Sequence, residues 1–143
     1  MISKIDSVAK IRVPYRFLLL GNGCVVVAVM LIFKLIQDRQ TAALVAGSLF
    51  LLSPMIALTL EWRANQSWRS IAAAGAILFF VGAAVPIFGL RIANWGEPFD
   101  QLSLFGISGQ VWHKASNGLF LLMLVGQAWG SFQQKKKKMA LQK

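Results

Sequence analysis

The chain has 143 residues, 57% of them hydrophobic and only 14% charged, with a formal net charge of +10. A soluble domain of this length carries roughly a quarter charged residues, so the composition places the chain in the membrane class and leaves no room for a separate soluble domain. The excess Lys and Arg sits at the ends of apolar runs, not on a polar face interleaved with aromatics, which argues against nucleic acid as a partner.

In chain order, "ISKIDSVAKIRV" comes first. Ile2, Ile5, Val8 and Ile11 recur every three residues, with Lys4, Lys10 and Arg12 off that stripe. The pattern predicts an amphipathic surface segment over 1–13, stopped by Pro14. The first apolar run, "FLLLGNGCVVVAVMLIF", predicts a span over about 17–36. "LLGNGC" superficially resembles a lipoprotein processing site, but Gly21 and Asn22 stand where aliphatic and small residues belong, and the apolar run follows Cys24. The segment therefore reads as an uncleaved span. "TAALVAGSLFLLSPMIALTL" predicts a second span over 41–60, and "IAAAGAILFFVGAAVPIFGL" a third over 70–91. In the loop "ANWGEPFDQLSLFGISGQ", Pro98 suits a first helical position and Gly106 a stop. This predicts a short interfacial helix with Phe99, Leu102 and Phe105 on one face. "VWHKASNGLFLLMLVGQAWGSF" predicts a fourth span over 111–132, followed by a polybasic tail over 133–143.

Each run is ~17–22 residues, enough to cross ~30 Å of hydrocarbon at ~1.5 Å per residue. Lipid offers the backbone no partners, so helices are expected. The predicted fold class is all-α: a single polytopic membrane domain over 1–143, with four transmembrane helices in an antiparallel bundle. With both termini cytoplasmic, eleven Lys and Arg lie inside and four outside, as the positive-inside rule requires. Trp62 and Trp68 flank the predicted inner loop, and Trp95 and Trp112 the outer one. Modest size and short loops suit a bacterial inner membrane.

Helices associate in lipid through close packing of small residues. Gly75, Gly82 and Gly89 recur every seven residues in the third run, and Gly126 and Gly130 form a G-x-x-x-G step in the fourth. These faces serve either packing within the chain or a seam for a second copy or a larger membrane complex. Pro54 and Pro86 interrupt the second and third runs and free the carbonyls of Phe50 and Gly82.

Little of the sequence looks chemical. No Asp or Glu lies inside an apolar run, although coupled transport needs an ionisable group at membrane depth. In size and span number the chain resembles the small four-span multidrug transporters; that resemblance implies a carboxylate in the first span, and none is present. One histidine and one cysteine offer no metal cluster. No catalytic residue, metal site or cofactor is therefore expected, and the chain is expected not to be an enzyme. Ser116 stands three residues after His113, the one pairing that could suggest a nucleophile and base. Asn22 and Gln127 lie at similar depth in the first and fourth runs and could hydrogen-bond across the bundle.

An outer polar layer gathers the candidate ligand-binding residues Arg91, Glu97, Asp100, His113, Lys114 and Asn117. Glu97 and Asp100 could pair with Arg91, Lys114 or His113, and a headgroup or small anionic ligand would suit the cations. The tail lysines are expected to meet anionic lipid at the cytoplasmic face. Two functions follow. The first is a non-enzymatic accessory, structural or assembly protein that packs through its Gly/Ala faces. The second is a transporter or binder of a lipid or small molecule, with an outward-facing polar site around His113.

Overall fold

The computed structural model describes residues 13–65 and 67–141. The expected amphipathic segment lies outside them, apart from Val13. The described chain is mostly helical: α1 (Tyr15–Leu35), α2 (Arg39–Asn65), α3 (Ile71–Phe79), a π-helical turn (Phe80–Ala84), α4 (Val85–Ala93), a 3-10 turn (Phe99–Gln101) and α5 (Gly109–Ala140). Three helical segments, Tyr15–Leu35, Arg39–Asn65 and Ile71–Ala93, are long and apolar enough to cross a membrane. The fourth predicted span falls within α5, at 32 residues the longest helix. Its apolar stretch is diluted by Asn117 and Gln127 and is followed by the lysine run. The helix continues through the tail to Ala140, where Lys137 and Lys138 face the favourable negative end of the helix dipole.

Local chemistry sets the boundaries. Pro14 precedes α1. Asp38 caps α2, accepting from the backbone N–H of Gln40 at 3.3 Å and of Thr41 at 3.0 Å and from the Thr41 hydroxyl. Hydrogen bonds to the ionised form hold the exposed Asp38 carboxyl below its ordinary range, the Thr41 side chain contributing most. Ser70 caps α3 by accepting from Ala73 N–H at 3.0 Å. The π-turn stands directly before α4, where Pro86 withholds the N–H that would bond Gly82. One wide turn shifts the hydrogen-bond register there.

The short helix expected in the third loop is reduced to the single 3-10 turn Phe99–Gln101 and does not run on to Gly106. Pro98 is extended and precedes that turn. A two-stranded antiparallel hairpin follows, β1 (Ser103–Leu104) and β2 (Ile107–Ser108), pairing Ser103 with Ser108 and Leu104 with Ile107. Phe105 and Gly106 both have positive φ, 54° and 75°. A two-residue connection needs that geometry if its twist is to match the strands. Leu102 is buried and Phe99 half-buried, but Phe105 at the hairpin tip is 89% exposed, so the three do not share a face.

Packing is pairwise: α1 lies against α2 and α5, α2 against α3, and α3 most extensively against α5. The α3–α5 contact is a backbone approach. A Cβ at Gly75 would lie 3.0 Å from Met123 Cα, and one at Gly126 2.9 Å from the Ile71 carbonyl oxygen. Gly82 faces the Leu119 side chain and Gly130 the Tyr15 ring, whereas a Cβ at Gly89 would meet nothing within 4 Å. Four of the five predicted packing glycines are therefore taken up inside the chain. The core is small-residue and aromatic: Ala57, Ala76, Ala83, Ala84 and Met123 surround Phe79. Phe50, Phe79 and Phe120 meet edge to face with centroids 5.2–6.1 Å apart, the arrangement ring quadrupoles favour.

Candidate functional site

Polar side chains gather at three levels. At the end holding Tyr15, Glu61 is 1% exposed although it directly follows the second apolar run. Tyr15 donates its hydroxyl to Oε1, and Asn65 Nδ2 donates to Oε2 at 2.8 Å. Glu61 thus has both carboxylate oxygens engaged inside the chain. Midway along, Asn22 Nδ2 donates to Gln127 Oε1 at 2.9 Å, the cross-bundle bond the sequence suggests. Ser53 joins by donating to Asn22 Oδ1. Gln127 Nε2 is buried without a partner.

The third level lies at the end holding His113. A cleft of about 290 Å³ opens between α1, α2, the α3–α4 segment and α5. Its mouth carries Arg91, His113, Ser116 and Asn117, and its walls include Phe33, Phe50, Phe79, Phe88, Phe99 and Phe120. The π-turn contributes Ala83 and Ala84 to the wall. A single wide turn inside a helix often accompanies a functional site, because it re-aims the residues around it. Gly47 admits the Phe88 ring, which a Cβ would meet at 2.8 Å.

Three of the six predicted ligand-binding residues, Arg91, His113 and Asn117, come together here. Helical phase explains the selection. His113, Ser116, Asn117 and Phe120 follow the i, i+3, i+4, i+7 spacing of one helical face. Lys114 is one step round the helix and stays exposed outside the cleft, as does Asp100 on the 3-10 turn. Glu97 lines a separate recess of about 10 Å³ beside Arg91, Asn94 and Trp95.

The expected pairing of Glu97 and Asp100 with the cations is replaced by other contacts. The Arg91 guanidinium stacks over the Phe99 ring, 4.2 Å from its centroid, a cation–π contact that fixes the side chain and leaves its N–H edges free for a ligand. The Ser116 hydroxyl donates to the His113 carbonyl at 2.8 Å. Its proton is thus directed at the backbone, not at the imidazole. Trp112 Nε1 donates to the Leu104 carbonyl at 3.4 Å and ties the hairpin to α5. Gly109 lets α5 start against the 3-10 turn, since a Cβ there would lie 2.1 Å from the Phe99 carbonyl oxygen.

Among the described residues, no three of His, Cys, Asp and Glu come together as a metal-ligand set. Arg91 is the one fixed charge among the described residues lining the cleft. The arrangement suits an amphipathic molecule: the aromatic walls accept an apolar body, and guanidinium, imidazole, hydroxyl and amide groups meet a polar head. Compared with protein-family models, curated proteins and solved structures, the chain matches none.

Proposed function

We propose that this chain is a non-enzymatic, multi-pass membrane protein that binds a small amphiphile with an anionic or hydrogen-bonding head. In this reading the membrane is a bacterial inner membrane, crossed by four antiparallel helices with both termini in the cytoplasm. The His113 cleft then faces outward, at the headgroup level marked by Trp95 and Trp112. The observation that carries the reading is the convergence of Arg91, His113, Ser116 and Asn117 on one phenylalanine-walled cleft.

The accessory-protein reading has less behind it. It draws on the glycine faces, and Gly75, Gly82, Gly126 and Gly130 each meet another helix of the same chain. Gly89 alone among them is left open to a partner.

Decanoate, decanol and decyltrimethylammonium, titrated calorimetrically into the purified full-length protein, test the proposal. Decanoate is expected to bind tightest and the quaternary amine weakest. Arg91→Gln combined with Asn117→Ala is expected to weaken decanoate binding about tenfold or more, the loss of a charge-assisted and a neutral hydrogen bond, with thermal unfolding unchanged. Equal binding of the three probes, or by the variant and the parent protein, overturns the reading. Cysteine accessibility tests the topology separately. In a Cys24→Ser background, Ser108→Cys is expected to react with an impermeant reagent from outside and Lys138→Cys only after permeabilisation.

A further inference from the structure

We propose a second ligand site, at the opposite end of the molecule: a seat for the phosphate-bearing headgroup of an anionic phospholipid. It does not rest on the reading of the His113 cleft. A cleft of about 560 Å³ opens there between the start of α1, the α2–α3 connection and the last turns of α5. Arg69 and Lys137, from two different elements, supply its charge, and Ser70, Trp129, Gln133 and Gln134 are among the groups around them. None of the described lining residues is Asp or Glu; Glu61 lies buried beneath, engaged by Tyr15 and Asn65.

A neighbouring cleft of about 210 Å³ repeats the pattern with Arg16, Lys135 and Lys138, again without a lining carboxylate. Tyr15 and Gln134 belong to both clefts and form the wall between them. That wall is held in place, because Gln134 Nε2 donates to the Val13 carbonyl at 2.9 Å. The larger cleft is thus a shaped cavity with a fixed partition, distinct from a loose lysine tail.

Charge alone would accept any anion; the surroundings select a lipid. The cations stand beside apolar Val13, Ile71 and Leu141 in the same cleft. Trp129 lines it, and Trp62 in the last turn of α2 meets Trp68 in the α2–α3 connection, with centroids 5.1 Å apart. Tryptophans concentrate where headgroups meet acyl chains. A phosphate between Arg69 and Lys137 would leave its glycerol and upper acyl carbons against Ile71 and Trp129.

Native mass spectrometry of the full-length, delipidated protein in detergent tests the site. The titrants are dioleoyl phosphatidylglycerol, the zwitterionic dioleoyl phosphatidylcholine, and soluble glycerol 3-phosphate. Phosphatidylglycerol is expected to add one tightly held copy at about tenfold lower concentration than phosphatidylcholine, with no displacement by equimolar glycerol 3-phosphate. R69Q/K137Q is expected to weaken that copy about 10- to 30-fold, as two lost lipid-facing cations imply. Gln133→Glu, which adds a like charge beside the phosphate, is expected to weaken it similarly. K135Q/K136Q removes the same net charge outside the larger cleft and is expected to change it less than threefold. Equal losses in the two charge-removal pairs would reduce the site to diffuse polybasic attraction. No loss in R69Q/K137Q, equal affinity for the two lipids, or displacement by glycerol 3-phosphate would each overturn it.

Discussion

Helix α1 and the Ile71–Ala93 segment that α3 opens are both long and apolar enough to cross a membrane, yet α1 and α3 attach to the rest of the molecule by different physics. Helix α3 buries Ala72, Ala73, Gly75, Ala76 and Phe79, and its backbone touches that of α5. Helix α1 buries only Tyr15 and Asn22, two polar residues seven positions apart. Its large apolar side chains, including Phe17, Leu20, Met30 and Leu35, are exposed. In lipid an exposed leucine costs nothing, so it gives α1 no reason to dock. The α3 contact gains dispersion through close approach; the α1 contact gains hydrogen bonds that the hydrocarbon cannot offer. Apolar content alone therefore does not tell how a membrane helix is held.

The largest effect is expected where that distinction is sharpest. Gly126→Leu forces side-chain atoms into the Ile71 carbonyl and Ala72 Cα, backbone atoms that have no rotamer to relax into. A loss of about 3 kcal/mol or more is expected, read as the free energy of unfolding in a detergent titration with SDS. Gly75→Leu should behave alike against Met123. Gly89→Leu, on the same seven-residue period, should stay within about 0.5 kcal/mol because the space there is open. Equal costs at the three positions would break the account of α3.

Helix α1 should respond to loss of polarity instead. Glu61→Ala leaves the Tyr15 hydroxyl and Asn65 Nδ2 without their acceptor. A cost of about 2–3 kcal/mol is expected in the same titration. Glu61→Gln keeps one acceptor oxygen and should cost less. A cycle with Tyr15→Phe isolates the pair, and a coupling near zero would mean that Tyr15 holds α1 through the packing of its ring, against Gly130, Ala64 and Ala72, alone. At the middle level, Asn22→Leu should cost about 1 kcal/mol or less. The double change Asn22→Leu with Gln127→Leu is expected to cost less than the sum of the singles, because each single change leaves the other buried amide without its partner and the double change leaves neither. Strict additivity would show that the two amides do not act together.

The same contrast explains what could be read from the residues. Continuous apolar runs announce helices of membrane length whatever holds them, so those segments were legible. Small-residue periodicity marked Gly75 and Gly126, but spacing cannot say which faces meet; Gly89 shares the period and touches nothing. Asn22 and Gln127 were conspicuous as isolated amides in apolar runs, whereas Ser53 was hidden by being ordinary in such a helix. Nothing local marks Glu61, next to Trp62 and Arg63, as buried, because its burial depends on a tyrosine 46 positions away. Arg91, His113 and Asn117 stand at the facing ends of two apolar runs, which is the signal that groups them in the sequence. The exclusion of Lys114 followed from helical phase, which the i, i+3, i+4 spacing from His113 carries. Glu97 and Asp100 lie in a loop without periodicity, and neither the hairpin turn at Phe105 nor the π-turn before Pro86 has a strong residue signature.

The smallest effect is expected at Asp38, which separates helix initiation from helix docking. Its carboxylate is fully exposed and bonds only within the first turn of α2. The folded-state pKa is lowered, so the stabilisation is present above the unfolded carboxyl value and is lost as pH falls through the lower folded one. Hydrogen exchange at Gln40 and Thr41 should therefore quicken several-fold, after correction for intrinsic rates, as pH drops from 5 toward that value. Asp38→Asn, which still caps but does not titrate in this range, should flatten the response. The contacts of Tyr15 and Asn22 lie on other residues, so protection along α1 should not change over the same titration. A parallel loss across α1 would show that its docking depends on the start of α2, and the division between polar anchors and helix caps would fall.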